Sequence, residues 1–262
     1  MKTILLLITA ATLAAAPKEI AKQTEGDWRD GRYANVKFGP FVSGHIATPK
    51  GSTHKGIAIR VGDKGEGTMV FDTDLCTWRA GWTGGFLKTD PTRYGLIRAL
   101  KPEGTIIFSN PPTPGVANVK GSFDDSRRPK YGPLPKEWVR FKGLHVNGSD
   151  VVIQYEVGGA GVYERTCLYG DEDNSIMWRR LLVKGNKRGI QIQLANIPGA
   201  KWEIYKKLNS SELKSVASLK SSLTAEKKKE KVRDEIGVTT GELIVTANGV
   251  LAVSLSPEEK DI

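Results

Sequence analysis

The sequence predicts an all-β fold, a large antiparallel β-sandwich, and three observations carry that prediction. Gly supplies 29 of 262 residues and Pro 13 more, a density of turn-formers that punctuates many short strands. Between these points apolar and polar residues alternate with a period of two, as half-buried strands require. Long segments of helical period are nearly absent, and roughly 12 or more short strands argue for one continuous sandwich core.

In chain order, Lys2, the apolar run from Ile4 to Leu7 and the small residues up to Ala14, Ala15 and Ala16 read as a secretory signal over residues 1–16. Cleavage after Ala16 leaves Pro17 first, so Ala14 and Ala15 are equal candidates. The run is too short to span a bilayer, and nothing later in the chain comes close. A periplasmic or secreted product is therefore expected, with residues 17–262 as a single sandwich domain.

From Gly56 the alternation of Ile57, Ile59 and Val61 gives a first strand, and residues 62–67 a turn. Residues 69–78 read as one second strand, with Met69, Phe71 and Leu75 on one face and Asp72, Asp74 and Trp78 on the other. Residues 105–109 form a short strand that runs into Asn110-Pro111-Pro112-Thr113-Pro114-Gly115, which can be neither helix nor central strand. A long surface loop follows, through Asp124, Asp125, Arg127 and Arg128 to Gly132-Pro133-Leu134-Pro135.

Residues 138–146 and 151–157 flank Asn147-Gly148, the signature of a type I′ hairpin. Segments 162–169, 176–183 and 190–197 extend this into an antiparallel meander, and 242–246 with 250–255 form a last hairpin around Asn248-Gly249. The exception is a Lys-rich insertion, 206–234, helical or disordered, in which Leu213, Val216, Leu219 and Leu223 give residues 210–234 a thin apolar stripe.

The net charge of +10 is concentrated in that insertion, where residues 206–233 hold eight Lys and one Arg against three Glu. On an exported protein such a run reads as a solvated surface segment, with anionic polysaccharide or a membrane surface as its other reading; nucleic acid is not expected. The two cysteines, Cys76 and Cys167, either pair or stay as thiols. A pair would close a loop of about 90 residues, worth on the order of 4 to 5 kcal/mol in the chain-entropy model. With no CxxC or CxxCH, zinc-ribbon, thioredoxin-like and covalent-haem readings fail within this chain, and no cofactor is expected.

The densest segment is Phe71-Asp72-Thr73-Asp74-Leu75-Cys76-Thr77-Trp78-Arg79-Ala80-Gly81-Trp82-Thr83-Gly84-Gly85-Phe86-Leu87. With Lys55 to Arg60 before it, then Pro114-Gly115, Gly132 to Pro135, Trp138, Val157-Gly158-Gly159 and Tyr163-Glu164 after it, this segment resembles the hallmark of an uncharacterised domain family of exported multidomain bacterial proteins. The resemblance runs over residues 38–200 and brings no established activity. It implies neighbouring c-type haem or β-propeller domains in a longer parent protein, so any electron transfer would belong to a partner.

Asp72 and Asp74, two apart on a strand, would project about 7 Å apart from one face. Such a pair can hold a hard cation or orient sugar hydroxyls with Arg79 balancing the charge, although two side chains fall short of a calcium shell and no metal is expected. Trp78, Trp82, Phe86 and Trp138 can stack on a sugar face or pack into a sandwich edge. The candidate ligand-binding set is thus Asp72, Asp74, Trp78, Arg79, Trp82 and Phe86.

Three weaker signals remain. His45, His54 and His145 lack metal-ligand spacing, and Asp171-Glu172-Asp173-Asn174 reads as an acidic turn. Glu156 and Glu164, on adjacent strands, suit the paired carboxylates of a glycosidase, with cross-strand surface pairing to Arg165 or Arg140 as the simpler reading. The leading reading is a non-enzymatic extracytoplasmic module binding a glycan or a partner domain, with a carbohydrate-active enzyme and a structural domain of a larger haem-containing protein as alternatives. Binding predicts an exposed Trp78 or Trp82, catalysis predicts facing carboxylates in a cleft, and scaffolding predicts both indoles buried.

Overall fold

A computed structural model describes residues 33–92, 94–95, 97–169, 175–197, 241–245 and 250–255. The fold is all-β, with fourteen strands and no helix among the described residues. The expected signal 1–16, insertion 206–234, acidic turn 171–174 and Asn248-Gly249 turn lie outside them. Among the described residues no helix is long and apolar enough to cross a membrane.

The first sheet contains β1 (Phe41–Ile46), β2 (Thr53–Val61), β3 (Gly67–Asp72), β4 (Thr77–Thr83) and β7 (Thr105–Ser109), in spatial order β1-β2-β3-β4-β7. β5 (Leu87–Lys88) and β6 (Lys101–Pro102) pair only with each other. The second sheet is a meander, β8 (Val139–Asn147), β9 (Asp150–Val157), β10 (Ala160–Tyr169) and β11 (Ile176–Lys184). A third sheet joins β12 (Ile190–Asn196), β14 (Val250–Leu255) and β13 (Gly241–Val245). The expected meander therefore ends at β11, because β12 pairs with β14 and bridges Val116 instead.

The two larger sheets face each other across the main core. Ile57, Ile59, Met69, Phe71 and Trp78 of the first meet Val151, Ile153, Tyr155, Val157 and Val162 of the second. The opposite face of the first sheet is also covered: Ile46, Ala58, Val70, Ala80 and Trp82 pack with Phe86, Leu87 and Leu100 from the segment around β5 and β6. This double cover explains why every residue of β3 and β4 is buried.

The hairpins differ in detail from expectation. Asn147 pairs with Asp150, so the turn residues are Gly148 and Ser149, with positive φ at Gly148, the type II′ arrangement rather than Asn147-Gly148 in type I′. Between β9 and β10, Val157 pairs with Ala160, and Gly158 and Gly159 supply two positive φ angles, 55° and 90°.

Candidate functional site

The hallmark begins with a correction. Residues 69–78 do not form one strand: β3 ends at Asp72, a turn occupies 73–76, and β4 starts at Thr77. Cys76 carries a positive φ of 46°, which reverses the chain there. Asp72 and Asp74 consequently do not share a strand face. Asp72 Oδ1 instead accepts the backbone N–H of Asp74 at 3.0 Å and of Leu75 at 3.2 Å, closing the turn.

Two later segments clamp this turn. Gly115 donates its N–H to Leu75 O, and Leu134 donates to Asp74 O, each at 2.9 Å. A Cβ on Gly115 would stand 1.8 Å from Cys76 O, so no larger residue fits without moving the backbone. Trp138 Nε1–H donates to Val116 O at 3.0 Å, fastening the start of β8 to the same loop. The Pro114-Gly115, Gly132 to Pro135 and Trp138 elements of the hallmark thus converge on one turn.

β4 carries a bulge. Phe71 pairs with Trp78, whereas Val70 pairs with Ala80, which makes Arg79 the extra residue. The bulge sends Trp78 into the main core and Trp82 into the second one, although they are four apart. It also frees backbone groups, and Asn110 satisfies them: its N–H donates to Arg79 O and its Nδ2 to Trp78 O, both at 2.8 Å.

The Arg79 guanidinium is fully buried beside Asp72, with Nη1 to Oδ2 at 3.3 Å. It further donates to Asn110 O at 3.2 Å, Lys50 O at 2.9 Å and Gly51 O at 3.1 Å. Burial raises the Asp72 carboxyl above its ordinary range, outweighing the attraction of Arg79, and burial lowers Arg79. The bonds of this guanidinium to Asp72, Asn110, Lys50 and Gly51 hold the bulge in place.

A second buried centre spans both sheets. The Glu164 carboxylate of β10 accepts Trp78 Nε1–H at 2.7 Å, Arg179 Nε–H at 2.9 Å and Nη2–H at 2.8 Å, and the hydroxyl of Tyr155. Four donors on two oxygens saturate it. Arg179 of β11 continues to Gln193 O at 2.9 Å, and Gln193 Nε2–H reaches Thr77 Oγ1 at 3.2 Å. Burial and the adjacent carboxylate push the Tyr155 phenol up, so it remains a donor.

The six candidate residues therefore occupy four places. Asp72 and Arg79 form the ion pair; Trp78 belongs to the Glu164 centre; Trp82 donates to Phe86 O at 2.8 Å in the second core, where the Arg60 guanidinium carbon lies 4.0 Å over the Phe86 ring. Only Asp74 reaches the surface, paired with Lys55 at 3.2 Å. Trp78 is 2 % exposed and Trp82 0 %, which corrects the expectation of exposed indoles in a groove.

Two pairings left open by the sequence do not occur among the described residues. Glu156 and Glu164 lie back to back: Glu156 points outward to Lys142 at 3.6 Å, whereas Glu164 points into the core. Cys76 and Cys167 are both free thiols, since Cys76 belongs to the main core and Cys167 to the outer face of β10. Burial pushes both thiols up. Among the described residues no three His, Cys, Asp or Glu side chains gather as a metal site.

Sequence reasoning missed Tyr155 and Arg179. The available signal was parity: Glu164 falls on the same face of its strand as Val162 and Leu168, which marks a charge inside the core and so a buried counter-charge.

A family model described as a domain of unknown function (DUF6797) matches residues 69–164. The match takes in the turn, the bulge, Asn110, Gly115 and Glu164, and stops before Arg179. No curated protein and no solved structure matches the chain.

Proposed function

We propose that this chain is a non-enzymatic β-sandwich module working outside the cytoplasm, whose hallmark residues build the sandwich while its ligand, a glycan or a partner domain, is held on the surface. The observation that carries the reading is the saturation of Glu164 and the burial of Asp72 with Arg79, because side chains already satisfied inside a core are spent on structure. The back-to-back placement of Glu156 and Glu164 counts against this pair as the facing carboxylates of a glycosidase. The basic, apolar and small-residue order of residues 1–16 supports export.

Burial of both Trp78 and Trp82 takes the binding reading away from the indole groove it was first built on, leaving it only the outer surface, and favours a second reading, a structural domain that seats a neighbouring c-type haem or β-propeller domain in a longer parent protein. One experiment separates these readings from catalysis. The full chain is run through gels containing neutral or acidic polysaccharides, and the same mixtures are assayed for new reducing ends. Retardation without release supports the binding module, and no retardation in any gel supports the structural domain. Release that disappears in Glu164→Gln or Asp72→Asn would refute both.

A further inference from the structure

The outward face of the four-stranded sheet has a composition that the packing of the fold does not require. Across β8 to β11, directly paired residues share a face, so His145, Val152, Arg165 and Arg180 form one row. Gln154, Tyr163 and Leu182 form the next. Trp178 lies opposite Cys167 on the same side, about 13 Å along the strand from the Tyr163 row by strand rise. Leu182 is 52 % exposed, so this face lies open rather than under another layer.

Two features of the face point to an anionic ligand. Arg165 and Arg180 stand directly opposite each other, an arrangement that is unfavourable between neighbouring strands. Asp150 pairs with Arg165, but among the described residues Arg180 and Lys184 have no carboxylate partner. Counting Arg140 and Lys142 with these three, the described strand residues of this face set five cations against the two carboxylates Asp150 and Glu156, with Asp63 of the β2–β3 turn near enough to act on Cys167.

The aromatic rings sit among those cations. The Arg180 guanidinium carbon lies 5.6 Å from the Trp178 ring centre, and Lys184 Nζ 5.8 Å from that of Tyr163. Tyr163 is held in place by polar contacts: Gln154 Nε2–H donates to its hydroxyl at 3.2 Å, and His145 Nε2 meets Gln154 Oε1 at 2.7 Å. A pre-set ring beside a cation suits a sugar ring that carries a carboxylate, the ring meeting the aromatic face and the carboxylate meeting the guanidinium fork.

We infer that the outer face of this sheet binds a carboxylated polysaccharide, a polyuronate, through Tyr163, Trp178, Arg165, Arg180 and Lys184. The inference rests on the binding-module reading and supplies its ligand class. A single-stranded nucleic acid offers the same pairing of charge and flat rings, but successive bases stack on adjacent aromatics, and these two rings are too far apart for that.

The test uses the full chain with polygalacturonate, a neutral glucan and single-stranded DNA as probes. Polygalacturonate should bind, more weakly as salt rises, and the glucan should not. Arg165→Gln with Arg180→Gln should lower the affinity roughly 10-fold or more, the worth of at least one charged hydrogen bond. Trp178→Ala should also weaken binding, and Lys88→Gln, on the far side of the first sheet, should leave it unchanged. Unaltered affinity in the double arginine variant, or DNA bound as tightly as polygalacturonate, overturns the inference while leaving the non-enzymatic module standing. Release of reducing ends sinks the module reading itself.

Discussion

Arg179→Met is the most informative change to the buried centre. Methionine keeps much of the length of arginine but removes the two N–H donors that meet Glu164 at 2.9 and 2.8 Å and the one that meets Gln193 O at 2.9 Å. The Glu164 side chain is fully buried, and Arg179 is 10 % exposed. Breaking a pair at such depth costs about 3–5 kcal/mol, because the remaining carboxylate keeps only Tyr155 and Trp78 as donors. That is a large share of the roughly 5–15 kcal/mol that typically separates folded from unfolded domains. Glu164→Gln should cost a similar amount by stranding the guanidinium. The double variant removes both charges, and the glutamine oxygen still accepts from Trp78, so it should lose less than either single one. Urea unfolding followed by tryptophan fluorescence gives the cycle, with a coupling of at least about 2 kcal/mol expected. Additive losses, or a loss below about 1 kcal/mol for Arg179→Met, would refute the assignment of this pair as the charged anchor of the buried centre.

Other consequences follow from the same geometry. Because burial raises Asp72 above its ordinary 3.8, its favourable contribution is complete below that value and is lost as pH rises through the raised one. Asp72→Asn should therefore flatten the dependence of the urea midpoint on pH in the window upward from 3.8, and an unchanged slope would contradict the shift. Gly115→Ala should destabilise by about 2–3 kcal/mol or block folding, read as a loss of soluble protein or a lower urea midpoint, because its Cβ would meet Cys76 O at 1.8 Å. Alkylation of the denatured, unreduced protein should modify both Cys76 and Cys167, and a mass lacking both adducts would contradict their placement on opposite sides of the sheet.

Much of the strand layout was legible, because apolar alternation is a direct record of which face is buried. β7 appears at residues 105–109 as read, and β8 to β11 fall within one or two residues of expectation. The hallmark was misread because alternation cannot count through a bulge. Period two puts Trp78 and Trp82 on one face, and the extra residue Arg79 separates them. Nothing local announces that bulge, since Asn110, which satisfies it, arrives from 31 residues away. The back-to-back placement of Glu156 and Glu164 was within reach. A two-residue Gly158-Gly159 turn pairs Glu156 with Gly161, and two even-numbered residues across such a turn must face opposite ways. The strand β12 was read at 190–197, but its pairing escaped because its partner β14 lies far along the chain, and local periodicity carries no record of pairing at that range.

The division of labour between interior and surface is tested most directly by one paired titration, in which Trp78→Phe and Trp178→Ala are each measured for polygalacturonate affinity at a temperature where both are folded. Trp78 gives its indole N–H to Glu164, whereas Trp178 lies on the outward face beside Arg180. We expect the Trp78 variant to lose stability and keep wild-type affinity, and the Trp178 variant to keep its stability and bind less. Lost affinity in folded Trp78→Phe with unaltered binding in Trp178→Ala would return the ligand to the hallmark and contradict the account.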